Sequence, residues 1–214
     1  MKIAQAKICG LTTASQVATA LSVSVDYIGF MTFAPSPRHI EPSAARVLAD
    51  QAAGQAKTVS VLVDPSAAVL ASVLTDLRPD FIQLHGSETA AFCAELKGRG
   101  VGVIKAFGVS QPEDLDEVLP YLSVVDMILL DAKAPQDATR PGGLGHPFEW
   151  TILKNFNPPL PWFLSGGLTP DNVAEGVRVS GAKWVDVSSG VEAIRGLKDD
   201  ALMTAFMAAL NTDT

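Results

Sequence analysis

Two side chains suited to proton transfer stand where apolar runs give out. Cys9 closes Ala6-Lys7-Ile8-Cys9 and is followed by Gly10, and Asp131 follows Leu129-Leu130 directly. A thiolate can take a proton and a carboxylic acid can give one, so the two together could run general acid–base chemistry. Each has a plainer competitor: an isolated cysteine is often a small buried hydrophobe, and an acid after a strand often caps a helix or loop. Cys93, inside Ala90-Ala91-Phe92-Cys93-Ala94-Glu95-Leu96, supplies a contrast, because its neighbours put it in the core of a helix face. His85 ends Gln83-Leu84-His85-Gly86, where strand alternation sets Gln83 and His85 on one face; a satisfied structural histidine is the alternative. Arg38 ends the stiff turn Phe33-Ala34-Pro35-Ser36-Pro37-Arg38, which delivers either a two-pronged carboxylate donor or a solvated surface arginine.

A second kind of chemistry is written late in the chain. Trp162-Phe163-Leu164-Ser165 runs into Gly166-Gly167, and Thr169-Pro170-Asp171 then reads as a cap and first-turn proline opening a helix. Glycine allows close backbone approach, and a helix start offers free N–H groups to an anion, so phosphate is the expected guest. Trp184-Val185-Asp186-Val187 repeats the pattern, ending in Ser188-Ser189-Gly190. Two such turns in succession match the phosphate grip after the seventh and eighth strands of a (β/α)8 barrel, against the competing reading of two ordinary strand–helix turns.

The elements that would position these groups alternate along the chain. Apolar strands read around Ala6 to Cys9, Tyr27 to Phe30, Val59 to Val63, Phe81 to Leu84, Val101 to Ala106, Met127 to Leu130, Trp162 to Ser165 and Trp184 to Val187. Helices read between them at Ser15 to Leu21, Ser43 to Ala53, Ser66 to Leu77, Glu88 to Lys97, Asp114 to Leu119, Phe148 to Lys154, Asp171 to Val179 and Asp199 to Leu210. Strands apolar nearly throughout suit a parallel sheet covered on both faces. The expected fold is an α/β, single-domain (β/α)8 TIM barrel spanning residues 1–214. An open doubly wound sheet is disfavoured, because the first strand lacks a glycine-rich dinucleotide fingerprint. The longest loop, Ala132 to Pro147, is dense in Pro and Gly, as binding loops of that length tend to be.

Composition narrows the function classes. The 214 residues are 48% hydrophobic and 18% charged, with mean hydropathy +0.25, which is globular rather than disordered. A net charge of −7 argues against a general nucleic-acid binder, while a local pocket for an anionic metabolite stays open. Two separated cysteines, no leader-like stretch after Met1 and no long apolar run lead to the expectation of a cytoplasmic protein with free thiols, off the membrane. His39, His85 and His146 share no ligand spacing with each other or the cysteines, so no metal site is expected.

Taken in order, Lys7-Ile8-Cys9-Gly10-Leu11-Thr12, Phe33 to Arg38, Gln83 to Gly86, Leu130-Asp131, Gly142-Gly143-Leu144-Gly145, Leu164 to Leu168 and Val185 to Glu192 resemble the successive signatures of the phosphoribosylanthranilate isomerase family. The resemblance covers almost the whole chain. It implies a cofactor-free Amadori rearrangement of a phosphorylated aminosugar, in a monomer or homodimer. It also implies that Cys9 is the general base and Asp131 the general acid, with both pKa values brought toward neutrality. Arg38 would lie by the anthranilate carboxylate, Asp186 and His85 by the substrate, and Gly143, Gly145, Gly166, Gly167, Ser188, Ser189 and Gly190 around its phosphate. Two positions depart from the family pattern. Leu144 stands where threonine is usual, which removes a hydroxyl from the phosphate loop, and Ser15 replaces an acid near the first helix start.

Overall fold

The computed structural model describes residues 3–133 and 148–211. Eight parallel strands close into a barrel in chain order: β1 (Gln5–Cys9), β2 (Tyr27–Met31), β3 (Lys57–Leu62), β4 (Phe81–Leu84), β5 (Gly102–Val109), β6 (Met127–Ala132), β7 (Trp162–Leu164) and β8 (Trp184–Val187), with β8 returning to pair with β1. The crossovers carry α1 (Ala14–Ser22), α2 (Pro42–Gln51), α3 (Ala67–Ser72), α4 (Ala90–Lys97), α5 (Val173–Ser180) and α6 (Asp200–Leu210). Several starts are fixed by side chains that accept a backbone N–H of the first turn: Thr13 for α1, Ser66 for α3, Thr89 for α4 and Asp199 for α6. Among the described residues, no helix is long and apolar enough to cross a membrane.

Four helix expectations change. The helix expected to run to Leu77 is α-helical only to Ser72 and continues as a π-helical stretch, Val73–Leu77. The segment after β5 is a 3-10 helix, Pro112–Tyr121, because Asp114 folds back to accept from Ser110 and Gln111 and Pro120 lacks the donor an α-helix needs there. The segment expected as the helix Phe148 to Lys154 is a 3-10 turn, Trp150–Leu153. The start of α5 moves from Thr169 to Asn172. The Asn172 side chain accepts from Thr169 N and donates to Gly167 O, which ties residues 167–172 into a turn before the helix begins. The sequence also gave no sign of a hairpin, β9 (Glu192–Ile194) with β10 (Leu197–Lys198), set between β8 and α6.

Strand alternation divides the core in two. Ile8, Ile28, Phe30, Ile82, Leu84, Ile128, Leu130, Leu164 and Val185 face outward beneath the helices, and Cys93 is fully buried with them. Tyr27, Val59, Ile104, Ala106, Met127, Leu129 and Phe163 fill the barrel interior. Each large apolar side chain removed from water contributes about 1.5–3 kcal/mol, so both layers fix strand register firmly. Toward the C-terminal ends of the strands the interior turns polar, at Lys7, Gln83, Ser165 and Asp186, all buried. This polar layer is the floor on which the candidate site stands.

Candidate active site

Cys9 is the last residue of β1 and shares its inward face with Lys7, two residues earlier. The Lys7 ammonium, wholly withdrawn from solvent, donates to Gln83 Oε1 at 2.7 Å and to Asp186 Oδ1 at 2.8 Å. Burial alone would favour loss of its proton, but the Asp186 carboxylate and Cys9 outweigh that, and its pKa lies above the ordinary value. Asp186 also accepts from Ser165 Oγ at 3.3 Å. Burial pushes the Cys9 thiol up, against the pull of Lys7 and Lys198, while Asp186 adds to the rise. The direction is thus opposite to the expected fall toward neutrality. A thiolate in a closed, dry interior loses more hydration than two ammoniums beside a carboxylate restore.

Asp131 lies within β6, three strands from β1 by way of β7 and β8. Its Oδ1 accepts from Ala132 N at 2.9 Å, and Oδ2 is 3.3 Å from His85 Nε2. The other ring nitrogen, His85 Nδ1, lies 3.0 Å from Gln83 Nε2. A cleft of about 340 Å3 opens over this group, lined by His85, Gly86, Ala106, Gly108 and Asp131 among others. The loop bearing His85 is held from below by Lys105, which donates to Gly86 O and stands 3.3 Å from Glu88. A larger hollow of about 680 Å3 sits at the opposite end, among Arg46, Asp50, Lys57, Arg78 and Asp80. We set it aside because chemistry in this fold collects at the C-terminal strand ends, and there Lys57 and Asp80 neutralise each other at 2.9 Å.

Arg38 is buried rather than solvated, and its fork is engaged. Nε donates to Glu192 Oε1 at 2.6 Å and Nη2 to Glu192 Oε2 at 2.8 Å. The same carboxylate accepts from Lys198 Nζ at 2.7 Å and from Gly196 N at 3.0 Å. These donors overcome burial and hold the Glu192 carboxyl at about 2. The hairpin β9–β10 thus clamps Arg38 along one edge and leaves Nη1 on the other.

The two glycine-bearing turns meet. Gly190 lies so close to Leu168 that an added Cβ would fall 1.8 Å from the Leu168 carbonyl oxygen, so any side chain would force the turns after β7 and β8 apart. Gly166, at φ +86°, would set a Cβ 2.4 Å from Ala132 N and 2.9 Å from Asp131 Oδ1, and is thereby fitted to the acid as well as to the turn. Gly167 follows it in the same turn, and Ser189 opens the short 3-10 turn Ser189–Val191. The Ser188 hydroxyl donates to Cys9 O at 3.0 Å and accepts from Lys198 at 3.2 Å, which ties the end of β8 to the end of β1. Gly143, Leu144 and Gly145 lie outside the described residues.

The structure brings together Cys9, His85, Asp131, Gly166, Asp186, Ser188 and Gly190 around one barrel mouth. It adds Lys7, Gln83, Glu192 and Lys198. Lys7 and Gln83 could have been found from the sequence, since each lies two residues before a singled-out side chain on an alternating strand. Glu192 and Lys198 carried no such signal, because Glu192, which holds Lys198, meets Arg38 across 154 residues.

A closed parallel (β/α)8 barrel with a thiol and a carboxylic acid at its C-terminal mouth and paired small-residue turns after β7 and β8 defines the class: a TIM-barrel enzyme. The sequence profile described as N-(5'phosphoribosyl)anthranilate (PRA) isomerase matches residues 6–209. The chain belongs to that family. It is 48% identical over 204 residues to N-(5'-phosphoribosyl)anthranilate isomerase of Rhodopseudomonas palustris (strain BisB18), covering 95% of this chain and 94% of that protein. Among solved structures, phosphoribosyl anthranilate isomerase from Thermotoga maritima superposes with a TM-score of 0.87 at 33% identity, over 97% of this chain and 98% of that one. A phosphoribosyl anthranilate isomerase in complex with reduced 1-(o-carboxyphenylamino)-1-deoxyribulose 5-phosphate gives a TM-score of 0.84 at 30% identity, with the same coverage.

Proposed function

We propose that the chain is the tryptophan-pathway isomerase that converts N-(5-phosphoribosyl)anthranilate to 1-(2-carboxyphenylamino)-1-deoxyribulose 5-phosphate, with Cys9 as general base and Asp131 as general acid. The observation that carries the reading is that both side chains, from β1 and β6, face one barrel mouth whose rim holds the two touching turns at Gly166-Gly167 and Ser189-Gly190. The phosphate of the substrate sits against those turns. Arg38 presents its Nη1 edge to the anthranilate carboxylate, held in that attitude by Glu192. His85 and Asp186 border the bound aminosugar.

The reaction begins as the anthranilate nitrogen pushes its lone pair toward C1 while the C1–O bond of the ribose ring breaks. Asp131 gives its proton to the departing ring oxygen, and Ala132 N–H steadies the carboxylate that forms. The resulting iminium acidifies the proton on C2, which Cys9 removes, and the C2–H electron pair becomes the enolamine double bond. Tautomerisation returns a proton to C1 and leaves the ketone. The free thiol stands above its ordinary pKa, so the cationic iminium assists its ionisation at the moment the base is needed. The chemistry needs no cofactor and runs on one barrel domain, residues 1–214, in the cytoplasm.

Purified protein added to freshly generated phosphoribosylanthranilate should speed the decay of anthranilate-type fluorescence, with the aminoketose as the only product. Decay at the uncatalysed rate would overturn the assignment.

A further inference from the structure

We propose that Lys7 is a positioning residue for both halves of the acid–base pair: its buried ammonium orients the Gln83 amide, Gln83 fixes which nitrogen of His85 carries the proton facing Asp131, and the same ammonium lies one pleat below Cys9. The inference rests on the roles of Cys9 and Asp131 proposed above.

The argument follows donors and acceptors across the barrel. An ammonium has three N–H donors and no acceptor. Lys7 Nζ stands 2.7 Å from Gln83 Oε1, so the oxygen of that amide must face it; the flipped amide would set two donors against each other. The amide NH2 is then the end that meets His85 Nδ1 at 3.0 Å, and Nδ1 must accept. A neutral imidazole that accepts at Nδ1 carries its proton on Nε2. That is the nitrogen 3.3 Å from Asp131 Oδ2.

The consequence is chemical. When Asp131 gives up its proton, the new carboxylate accepts from Ala132 N–H on one oxygen and has the Nε2–H edge of His85 3.3 Å from the other. The opposite tautomer would aim a lone pair at that carboxylate. At the other end, the Lys7 ammonium hydrogen-bonds the Cys9 side chain, two residues along the same strand face. The charged groups facing the thiol are Lys7 from β1, Asp186 from β8, Lys198 from β10 and Arg38 from the loop after β2. Lys7 is the largest influence that draws the thiol toward ionisation. Asp186 keeps Lys7 charged and in place at 2.8 Å.

Two readouts independent of turnover test this. Nitrogen-15 NMR of histidine-labelled protein, with His85 assigned by its loss in His85→Ala, should show His85 protonated on Nε2 and bare on Nδ1. In Gln83→Leu, which leaves the Lys7–Asp186 pair whole, the two tautomers should mix, and kcat should fall about 10- to 100-fold with KM nearly unchanged, the loss of one hydrogen bond to a forming charge. Because Lys7→Met alone would strand a buried carboxylate, the second arm compares Lys7→Met/Asp186→Asn, which removes the pair together, with the wild type. The pH midpoint for alkylation of Cys9 by iodoacetamide, followed by mass spectrometry, should be higher in the double variant. A wild-type His85 protonated on Nδ1, or coincident alkylation midpoints in the wild type and the double variant, would overturn the proposal. A wild-type protein that shows the tautomer and the midpoint shift but does not isomerise phosphoribosylanthranilate would sink the functional reading alone.

Discussion

Glu192→Gln is the sharpest test of how the Arg38 arm is built. In the wild type one carboxylate neutralises two cations, accepting both prongs of Arg38 at 2.6 and 2.8 Å and Lys198 at 2.7 Å, with the side chains almost wholly buried. Its carboxyl falls from an ordinary 4.5 to about 2. At about 1.36 kcal/mol per pH unit, that drop corresponds to roughly 3 kcal/mol of folding stability. A folded-state pKa below the unfolded one means the contribution is full above about 4.5 and is lost as pH falls through about 2. The variant has no such group, so the stability gap between the two proteins should be widest near neutrality and narrow steadily below about 4.5. Asp114, also held at about 2, titrates in both proteins and cancels in the difference. For a chain of this length roughly 3 kcal/mol is a Tm difference of about 6–12 °C, readable by calorimetry at pH 6 and again at pH 3. Parallel loss of stability in both proteins down to pH 3, or a gap under about 1 kcal/mol at pH 6, would refute the reasoning.

The remaining tests address the chemistry. Cys9→Ala and Asp131→Asn should each lower kcat by about 10²–10⁴-fold in folded protein, whereas Cys93→Ala should change stability only; the fluorescence assay with thermal melts separates the cases. Burial raises the Cys9 thiol and holds Cys93 at about 11, so alkylation at Cys9 should be slow near neutral pH, climb as pH rises, and be blocked by bound product. Arg38→Lys should impair kcat/KM by about 1.5–3 kcal/mol, since a point charge cannot keep the two-pronged grip of Glu192 and still present Nη1; wild-type kinetics would remove Arg38 from the site. Inorganic phosphate should compete with substrate, and Gly190→Ala should raise KM by parting the turns it joins. No inhibition at any phosphate concentration, together with an unchanged KM, would mean the phosphate is misplaced.

Much of this was written locally. Short apolar runs named all eight strands because a parallel strand buried on both faces has no polar face to confuse the pattern. Ser66 and Asp199 marked their helix starts because a cap acts on a backbone N–H only a few residues away, while the caps Thr13 and Thr89 lie one or two residues from the starts read at Ser15 and Glu88. Cys9, His85 and Asp131 were legible for a related reason: a polar residue at the end of a barrel strand has one place to point. Where short-range preferences competed, the reading slipped. Asp114 and Pro120 favoured a 3-10 helix over an α-helix, and Asn172 held the turn before α5 that Thr169 had been expected to cap.

The sequence by itself, then, determined the alternation of strand and helix and which polar residues stand at strand ends, since both depend on periodicity and on neighbours within a few residues. Only the closed barrel decided what those groups touch and how they are charged. Lys7 meets Gln83 and Asp186 across 76 and 179 residues, and Arg38 meets Glu192 across 154. The Cys9 thiol was expected to fall toward neutrality and instead rises, because the water it loses is excluded by all eight strands together. Desolvation and the pairing of distant charges are properties of the assembled interior, and no stretch of sequence contains them.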